Sequence, residues 1–498
     1  MTFSLIDAVI VVLYLAGIAL FGILMGGRQR SARDYFVSDR AVPWWAICLT
    51  IVATETSALT FLSLPGMAYA GSMIFLQLAI GYIVGRIAVA VFLIPRYFEG
   101  DVPTAYAVLE QKFSPALRRG ASGVFMLTRL FADGVRLYTT AIPLALILET
   151  FDIFPSADRT AVYVLSMGCL TALTLLYVFY GGIRAVIWTD VVQWFIYLFG
   201  AVLSLVILFQ LLPGSPVEVL GRLAGQGKLT MIRLLPEGGW SAFLSEPYTL
   251  LSGIVGGMFL SMASHGTDQL IVQRVLAAGA PAPARRAMIA SGVVIFVQFF
   301  VFLLVGALLS LHFGDSTRNP NEVFASFILH ELPVGVTGLI IAGILAAAMS
   351  TLSSSISALG SATVMDVLVP LRRSPLDESQ TLRLSRRVSM VWAIVLLGIA
   401  TLFIGTPAIV VELALSIASY TYGGLLGLFF LRLLPIRLSV SAAAAGFFLG
   451  IVANGLVVLF TPLAWTWYTL TGTLLTIGIA VLAGRFFSAK RTDSGGQS

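Results

Sequence analysis

Long apolar runs recur along the whole chain and alternate with short polar segments. The first run, LIDAVIVVLYLAGIALFGILMGG, begins at Leu5, and similar runs follow as far as residue 484. A helix of about 20 apolar residues spans the hydrocarbon core of a bilayer, which is about 30 Å thick. The pattern therefore predicts an all-α polytopic membrane protein with about thirteen transmembrane helices. The predicted spans lie near residues 4–25, 43–69, 72–99, 119–150, 160–180, 184–212, 249–274, 283–311, 335–366, 386–407, 409–432, 437–460 and 463–484.

Composition supports the same class of protein. Of the 498 residues, 58% are hydrophobic and 11% are charged, whereas about 25% of residues are charged in soluble domains. The first run carries Asp7 and follows no basic segment, so we expect a retained span rather than a cleaved signal. Cys48 and Cys169 both fall within apolar segments, which predicts neither a disulfide framework nor a metal site.

The basic residues indicate an orientation in the membrane. They follow the first, third, seventh, ninth and last predicted spans and comprise Arg28, Arg30, Arg33, Arg40, Lys112, Arg118, Arg119, Arg274, Arg285, Arg286, Arg372, Arg373, Arg383, Arg386, Arg387, Arg485, Lys490 and Arg491. The positive-inside rule makes that side cytoplasmic. We expect a multi-pass protein of the cell inner (plasma) membrane, with its N-terminus outside and its C-terminus cytoplasmic. The net charge of +6 is thus a topology signal, and no nucleic-acid partner is expected.

The second predicted span contains a polar island at its centre. Its sequence there is ATETS at 53–57, and Pro65 and Gly66 follow. We predict that this helix unwinds midway, because exposed carbonyls at membrane depth are tolerated where they line a cavity or bind an ion. The alternative is a packing face of small and hydroxyl residues. Glu55 favours the first interpretation, since a lone carboxylate at the bilayer centre costs at least about 2.5 kcal/mol.

Two further spans combine polar side chains on one helix face. In the ninth, Ser350, Ser353 and Ser354 lie within about one turn, which suits either an alkali cation or a packing face of small residues. In the sixth, Asp190 and Gln193 share a face that must point into the bundle. Intramembrane acids mark ion or proton paths, although Asp190 could instead neutralise a neighbouring arginine.

The fourth and seventh spans also carry candidate chemistry. Arg129 and Asp133 can pair along the helix, which leaves Arg136 as a spare cation for a carboxylate, a cap of a network or an outward-pointing side chain. Near 257–274, Ser264 and His265 lie deeper than the charged end of the span, and a second interrupted helix is expected there.

With these residues assembled, the chain resembles the sodium/solute symporter family, which includes sodium–sugar, proline, sialic acid, monocarboxylate and vitamin symporters. The resemblance rests on GGIRAVIWTDVVQ at 181–193, GTDQLIVQRVLAA at 266–278 and AAAMSTLSSSISALGSATVMDV at 346–367. It implies a LeuT-like five-plus-five inverted repeat. The implied division is a first helix and cytoplasmic loop at 1–42, repeat one at 43–212, an extracellular loop at 213–248, repeat two at 249–432, two C-terminal helices at 433–484 and a cytoplasmic tail at 485–498.

The resemblance also implies ion and solute sites. One sodium would be held by backbone carbonyls of Ala53, Thr56 and Ala347 and by hydroxyls of Ser350 and Thr351. A second sodium, present in some members, would use Asp190, Ser353 and Ser354. The solute pocket would include Glu55, Ser57, Thr60, Gln77 and Ser261. Sialic acid members have a carboxylate-binding arginine in the fourth span, for which Arg129 and Arg136 are both candidates, with Arg136 the spare cation.

These expectations together predict a secondary active transporter, not an enzyme. It would couple sodium entry, through one or two ions, to uptake of a small organic solute such as a sugar, sialic acid or carboxylate, and it would work as a monomer in the bilayer. Proton coupling through Asp190 or Glu55, a passive channel and a membrane sensor with a transporter fold are the alternatives. An intramembrane enzyme is disfavoured because no HExxH or GxSxG motif occurs.

Overall fold

The computed structural model describes residues 3–27, 29–38, 42–100, 102–150, 158–236, 239–314, 318–320, 322–404, 410–435 and 438–493. Helices form the regular structure of these ranges, and no β-strand occurs within them. Arg28, Arg40, the start of the predicted eleventh span at 409 and the end of the predicted tail, 494–498, lie outside the described residues.

The helices up to residue 250 are α1 (Leu5–Gly26), α2 (Ala32–Phe36), α3 (Trp44–Glu55), α4 (Ala58–Ala70), α5 (Leu76–Ala88), α6 (Ile94–Tyr97), α7 (Ala107–Glu110), α8 (Pro115–Thr150), α9 (Arg159–Leu211), α10 (Pro216–Gly225) and α11 (Gly239–Ser245). The later helices are α12 (Gly257–Gly266), α13 (Gln269–Ala277), α14 (Pro281–Phe313), α15 (Val323–His330), α16 (Val336–Ser361), α17 (Val369–Leu371), α18 (Glu378–Thr401), α19 (Val410–Leu433), α20 (Val440–Phe460) and α21 (Tyr468–Asp493). Short π-helical turns connect α5 to α6, precede α12 and connect α16 to α17.

The apolar helices confirm a multi-pass membrane protein. In the described ranges, eight helical segments are long and apolar enough to cross a membrane, and a ninth is added if α3 and α4 form one bent span. Large apolar side chains such as Val12, Phe195 and Ile394 are exposed on the outer surface of the bundle. Such side chains suit contact with lipid, because hydrocarbon tails do not penalise exposed apolar surface as water does.

The second predicted span is broken, as its polar island predicts. α3 ends at Glu55 and α4 begins at Ala58, with a bend of 66° between them. Thr56 has an extended backbone, with φ −83° and ψ 94°. The hydroxyl of Ser57 accepts a hydrogen bond from the Thr60 N–H at 3.3 Å and so caps the new helix. The break therefore falls within the polar island, whereas Pro65 lies inside α4.

The helix α9 contains the junction between the predicted fifth and sixth spans. Gly182 has φ +56° and ψ −156° inside this 53-residue helix, so the two spans meet at a sharp kink. A Cβ atom at this position would lie 2.6 Å from the Tyr35 carbonyl oxygen. Both the positive φ and the close approach of α2 require glycine here.

Among the candidate membrane spans of the described residues, the most buried contains α16, which carries the hydroxyl residues of the ninth predicted span. It contacts α1, α3, α4, α8, α9 and α18, and every residue from Ile340 to Ser361 is buried.

The broken helix also packs closely against α14, since a Cβ atom on Gly306 of α14 would lie 1.9 Å from the Pro65 carbonyl oxygen. The broken helix is therefore held between two continuous helices.

We expect Gly182→Ala to destabilise the protein by about 1–3 kcal/mol, because alanine is strained at positive φ and its methyl group meets the Tyr35 carbonyl. Gly168→Ala is the matched control, since it lies in the same helix with open space around its Cβ position. That substitution should be neutral or stabilise by up to about 1 kcal/mol. Thermal unfolding of the purified variants in detergent measures both effects, and equal midpoints would contradict the assigned role of Gly182.

Candidate solute and ion sites

A cavity of about 100 Å³ lies beside the break between α3 and α4. It contains four of the predicted solute-site residues, namely Glu55, Ser57, Thr60 and Arg136. Its other polar lining residues are Thr54, Tyr82, Arg129, Ser264, His265 and Tyr422, and its apolar lining residues include Phe75, Leu260, Phe299 and Leu415. The aromatic rings carry no recognisable signal in the sequence, because buried aromatics occur throughout the chain.

The other two predicted solute-site residues do not line this cavity. The Gln77 side chain accepts a hydrogen bond from the Arg233 N–H at 3.1 Å and donates to the Tyr248 carbonyl at 3.3 Å. It therefore fastens the loop before α12 onto α5. The Ser261 hydroxyl donates to the Tyr82 carbonyl at 3.1 Å and joins α12 to α5.

Glu55 is paired with an arginine on the neighbouring helix. Arg86 is fully buried, donates to the Ser291 hydroxyl at 2.8 Å and forms an ion pair with Glu55. The His265 Nε2 atom lies 3.6 Å from the Glu55 carboxylate, and the Ser264 hydroxyl lies 2.8 Å from His265 Nδ1. Arg86 was not singled out from the sequence, although an arginine in the middle of the third span is an intramembrane charge that requires a partner.

The two candidate arginines of the fourth span differ sharply in their surroundings. Arg129 forms an ion pair with Asp268, donating from Nε at 3.0 Å, and also donates to Tyr422 and to Asp133. Among the described residues, Arg136 makes one long hydrogen bond, from Nη1 to Asp133 at 3.4 Å, and its buried Nε atom has no hydrogen-bond partner. Arg129 is thus committed to the protein, whereas Arg136 retains unused donor capacity at the cavity wall.

The residues of the first predicted sodium set lie on contacting helices. Helix α16 packs against both α3 and α4. Because α3 ends at Glu55, the carbonyls of its last turn, including that of Ala53, lack the usual N–H partner further along the helix. On α16, the Thr351 hydroxyl donates to the Ala347 carbonyl at 3.1 Å. Unwound carbonyls and hydroxyls are the oxygen ligands that bind Na+ in transporters with broken helices.

Asp190 of the second predicted sodium set is already paired with a cation. Arg274 donates from Nη2 to the Asp190 carboxylate at 2.9 Å and also to the Ser354 hydroxyl at 2.5 Å. The Ser350 hydroxyl donates to the same carboxylate at 2.7 Å, and Thr50 also hydrogen-bonds it. Ser353 instead donates to the Ser350 carbonyl at 3.0 Å. In this structure, therefore, Asp190 neutralises a neighbouring arginine, which is the alternative that the sequence left open.

The assignment of Arg274 to a cytoplasmic loop is wrong. It lies in α13 and is fully buried between α3, α9 and α16. The sequence places it close to the polar end of the seventh span, which made a surface position the simpler interpretation. The helix is interrupted at Thr267 and Asp268, where α12 ends and α13 begins, and every residue of α13, including Arg274, is buried.

Comparison with known proteins identifies this arrangement. A sequence model of the sodium:solute symporter family matches residues 35–450, most of the chain. The chain belongs to the sodium:solute symporter family. The sodium/sialic acid symporter NanT of Aliivibrio fischeri is 28% identical over 98% of this chain and 94% of its own length. The sodium/sialic acid symporter SiaT of Proteus mirabilis is 27% identical over 91% of this chain and 89% of its own length.

A solved structure resembles the whole chain. It is that of a Na+-coupled sialic acid symporter in a substrate-bound, outward-open state, for which a novel Na+ site is described. The TM-score is 0.85 at 25% identity, and the match covers 97% of this chain and 98% of the other. The family consists of transporters, not enzymes. This member is a secondary active transporter that couples Na+ to the movement of a small organic solute.

Proposed function

We propose that this symporter carries an organic solute with a carboxylate group, in the chemical class of the sialic acids, into the cell. The observation that carries the proposal is Arg136, a cavity-lining guanidinium whose buried Nε atom has no hydrogen-bond partner in the part of the chain that the structure describes. A guanidinium forms two parallel hydrogen bonds to a carboxylate, which adds both energy and orientation. The two relatives described above are sodium/sialic acid symporters, which supports the same solute class.

The remaining cavity lining suits the rest of such a solute. Ser57 and Thr60 present hydroxyl groups at the start of α4, and Ser264 presents another from α12. Phe75 and Tyr82 supply apolar ring surface. A polyhydroxylated ring needs both hydrogen-bond partners and flat apolar contact, which is the mixture found in small-molecule sites.

For the chain as a whole, we propose thirteen membrane-spanning helices, as the apolar runs predict. We further propose a five-plus-five inverted repeat, with repeat one at 43–212 and repeat two at 249–432. In this proposal the N-terminus is outside, the C-terminus is cytoplasmic, and the symporter works as a monomer. The two interrupted helices, α3 with α4 and α12 with α13, support the repeat because each begins one of the proposed halves.

One sodium ion would bind the carbonyls of Ala53, Thr56 and Ala347 and the hydroxyls of Ser350 and Thr351. The support is the helix end at Glu55, which frees carbonyls beside α16. Thr351 is the better residue to replace in a test of this site, because replacing Ser350 would also remove a hydrogen bond to Asp190.

A second ion would bind Asp190, Ser353 and Ser354 in exchange with Arg274. The guanidinium now bridges Asp190 and Ser354, so a sodium ion there would have to replace its positive charge. Whether this second ion binds decides whether transport moves net charge across the membrane. One Na+ carried with a monoanion moves no net charge, whereas two move one charge, worth about 2.3 kcal/mol per 100 mV.

The first test concerns the solute carboxylate. Uptake of a sialic acid should exceed that of its methyl ester by roughly 10–100-fold, because a hydrogen-bonded charge is worth about 1.5–3 kcal/mol. Arg136→Lys should reduce this preference and Arg136→Gln should remove it, while sodium binding measured without solute persists. Thr60→Ser is the matched control, because it keeps a hydroxyl in the cavity. If Arg136→Gln weakened acid and ester equally, Arg136 would be structural and the proposed solute class would lose its support.

The second test concerns the first sodium ion. Thr351→Ala should raise the sodium concentration for half-maximal uptake by about tenfold, because one oxygen ligand of the cation is lost. Ser357→Ala is the matched control, since that buried hydroxyl lies on the same helix and bonds Gln273 at 2.9 Å. Sodium titration of uptake in proteoliposomes measures both variants. An unchanged sodium dependence in Thr351→Ala would overturn this ligand set.

The third test concerns the number of ions. Uptake of a monoanion should show a Hill coefficient for sodium above one and should carry an inward current, as two ions per solute require. Asp190→Asn should lower the coefficient toward one. The control is Asp366→Asn, another buried acid whose partner is also an arginine, Arg118. A reversal potential that matches one sodium per solute in the wild-type protein would exclude the second ion.

A further inference from the structure

An open groove of about 530 Å³ lies between the end of α17 and the start of α18, remote from the solute cavity. Three arginines line it: Arg372 follows α17, and Arg383 and Arg387 lie on α18. All three are exposed, and none has an ion-pair partner among the described residues. We infer that this groove binds the phosphate headgroup of an anionic phospholipid.

The arrangement of charge favours an anionic ligand. Arg383 and Arg387 are four residues apart, so they share one face of α18 and repel each other. No acidic residue lines the groove. Asp377 lies nearby, but its carboxylate caps α18 by accepting from the Gln380 N–H at 2.7 Å and the Ser379 hydroxyl at 2.8 Å. Asp377 also interacts electrostatically with Arg383, but three guanidinium groups stand against this one carboxylate. The groove lining therefore keeps a positive charge, and guanidinium matches the geometry of phosphate oxygens.

The position of the groove favours a lipid over a free anion. Leu371 immediately precedes Arg372 and is 59% exposed, while Val391 and Ile394 on α18 are 57% and 68% exposed. Val391 is four residues beyond Arg387, which is about 6 Å along a helix. The arginines thus sit at the edge of the lipid-facing apolar surface, where the headgroups lie. Basic residues directly beside a membrane helix attract anionic lipids.

The remaining lining residues fit the same ligand. Pro375, Leu376 and Leu384 give the groove an apolar side, and Gln380 and Ser374 add polar groups. A phospholipid headgroup joins a charged phosphate to a glycerol and acyl chains, so it needs both kinds of surface. A free phosphate ion would gain nothing from the leucines.

Arg386, between the two groove arginines, faces elsewhere. Its guanidinium lies 5.4 Å from the Phe179 ring and donates to the Gln29 side chain at 3.2 Å. It therefore ties α18 to α9 and to the segment after α1. The three groove arginines can therefore be replaced without disturbing the Arg386 contacts that position α18.

The test compares the wild-type full chain with two triple variants, using native mass spectrometry in detergent to measure binding of phosphatidylglycerol and phosphatidylcholine. Arg372→Gln/Arg383→Gln/Arg387→Gln removes the groove charges. Arg119→Gln/Arg285→Gln/Arg286→Gln is the control, because it removes the same charge from the starts of α8 and α14, on the same predicted side of the membrane. Each basic residue near an anionic headgroup contributes a factor of about five, so we expect phosphatidylglycerol preference to fall at least about tenfold in the groove variant. The control should retain it.

Inorganic phosphate, added as a competitor, distinguishes the two sources of phosphate. If the groove binds lipid, inorganic phosphate should not displace bound phosphatidylglycerol, even at concentrations at which added phosphatidylglycerol does displace it. Equal losses in both triple variants, no lipid preference in the wild-type protein, or displacement by phosphate as effective as by lipid would each overturn the inference. The double variant Arg383→Gln/Arg387→Gln serves if the triple variant does not fold, and equal thermal midpoints without anionic lipid verify the fold.

Discussion

A charge buried in this helical bundle is costly unless an opposite charge or several hydrogen bonds meet it, and this requirement fixes the positions of the helices around the cavity. Arg86 joins α5 to the end of α3 through Glu55. Arg129 joins α8 to the start of α13 through Asp268. Arg274 joins α13 to α9 through Asp190. Each pair links two helices that otherwise pack mainly against other neighbours, so the pair helps to fix their relative positions.

The breaks in the helices and these charges depend on each other. Asp268 caps α13 by accepting from the Leu270 N–H at 2.8 Å while also binding Arg129. Glu55 is the last residue of α3 and holds Arg86. In both helices, therefore, the acid stands where the helix stops or restarts. The residues at which the helices stop or restart are therefore also those that bind arginines on other helices, so the position of each break is specified by these contacts.

The sequence was sufficient for features that are encoded locally. The polar island at 53–57 predicted the break in the second span, and the family motifs predicted sodium-coupled transport. Features that depend on contacts between residues far apart in the sequence were harder to predict. Arg86 and Arg274 lie far from Glu55 and Asp190 along the chain, and their pairing follows only from the packed bundle. Likewise, spacing indicated Arg136 as the spare cation of the fourth span, but the additional partners that engage Arg129, Asp268 and Tyr422, come from later helices.

Asp133 connects the solute cavity to the ninth predicted span. Its carboxylate accepts from Arg136 at 3.4 Å and from the Ser355 hydroxyl at 2.6 Å, and Ser355 also donates to the Thr351 carbonyl at 3.0 Å. In the proposed mechanism, an anion that engages Arg136 would compete with Asp133 for that guanidinium, and the Ser355 hydroxyl would pass the change to Thr351, the residue proposed to bind sodium. Thermodynamic reciprocity then applies: whatever factor sodium adds to the affinity for solute, solute adds to the affinity for sodium. A chain of three side chains is short enough for such cooperativity to arise within one conformation, before any helix moves.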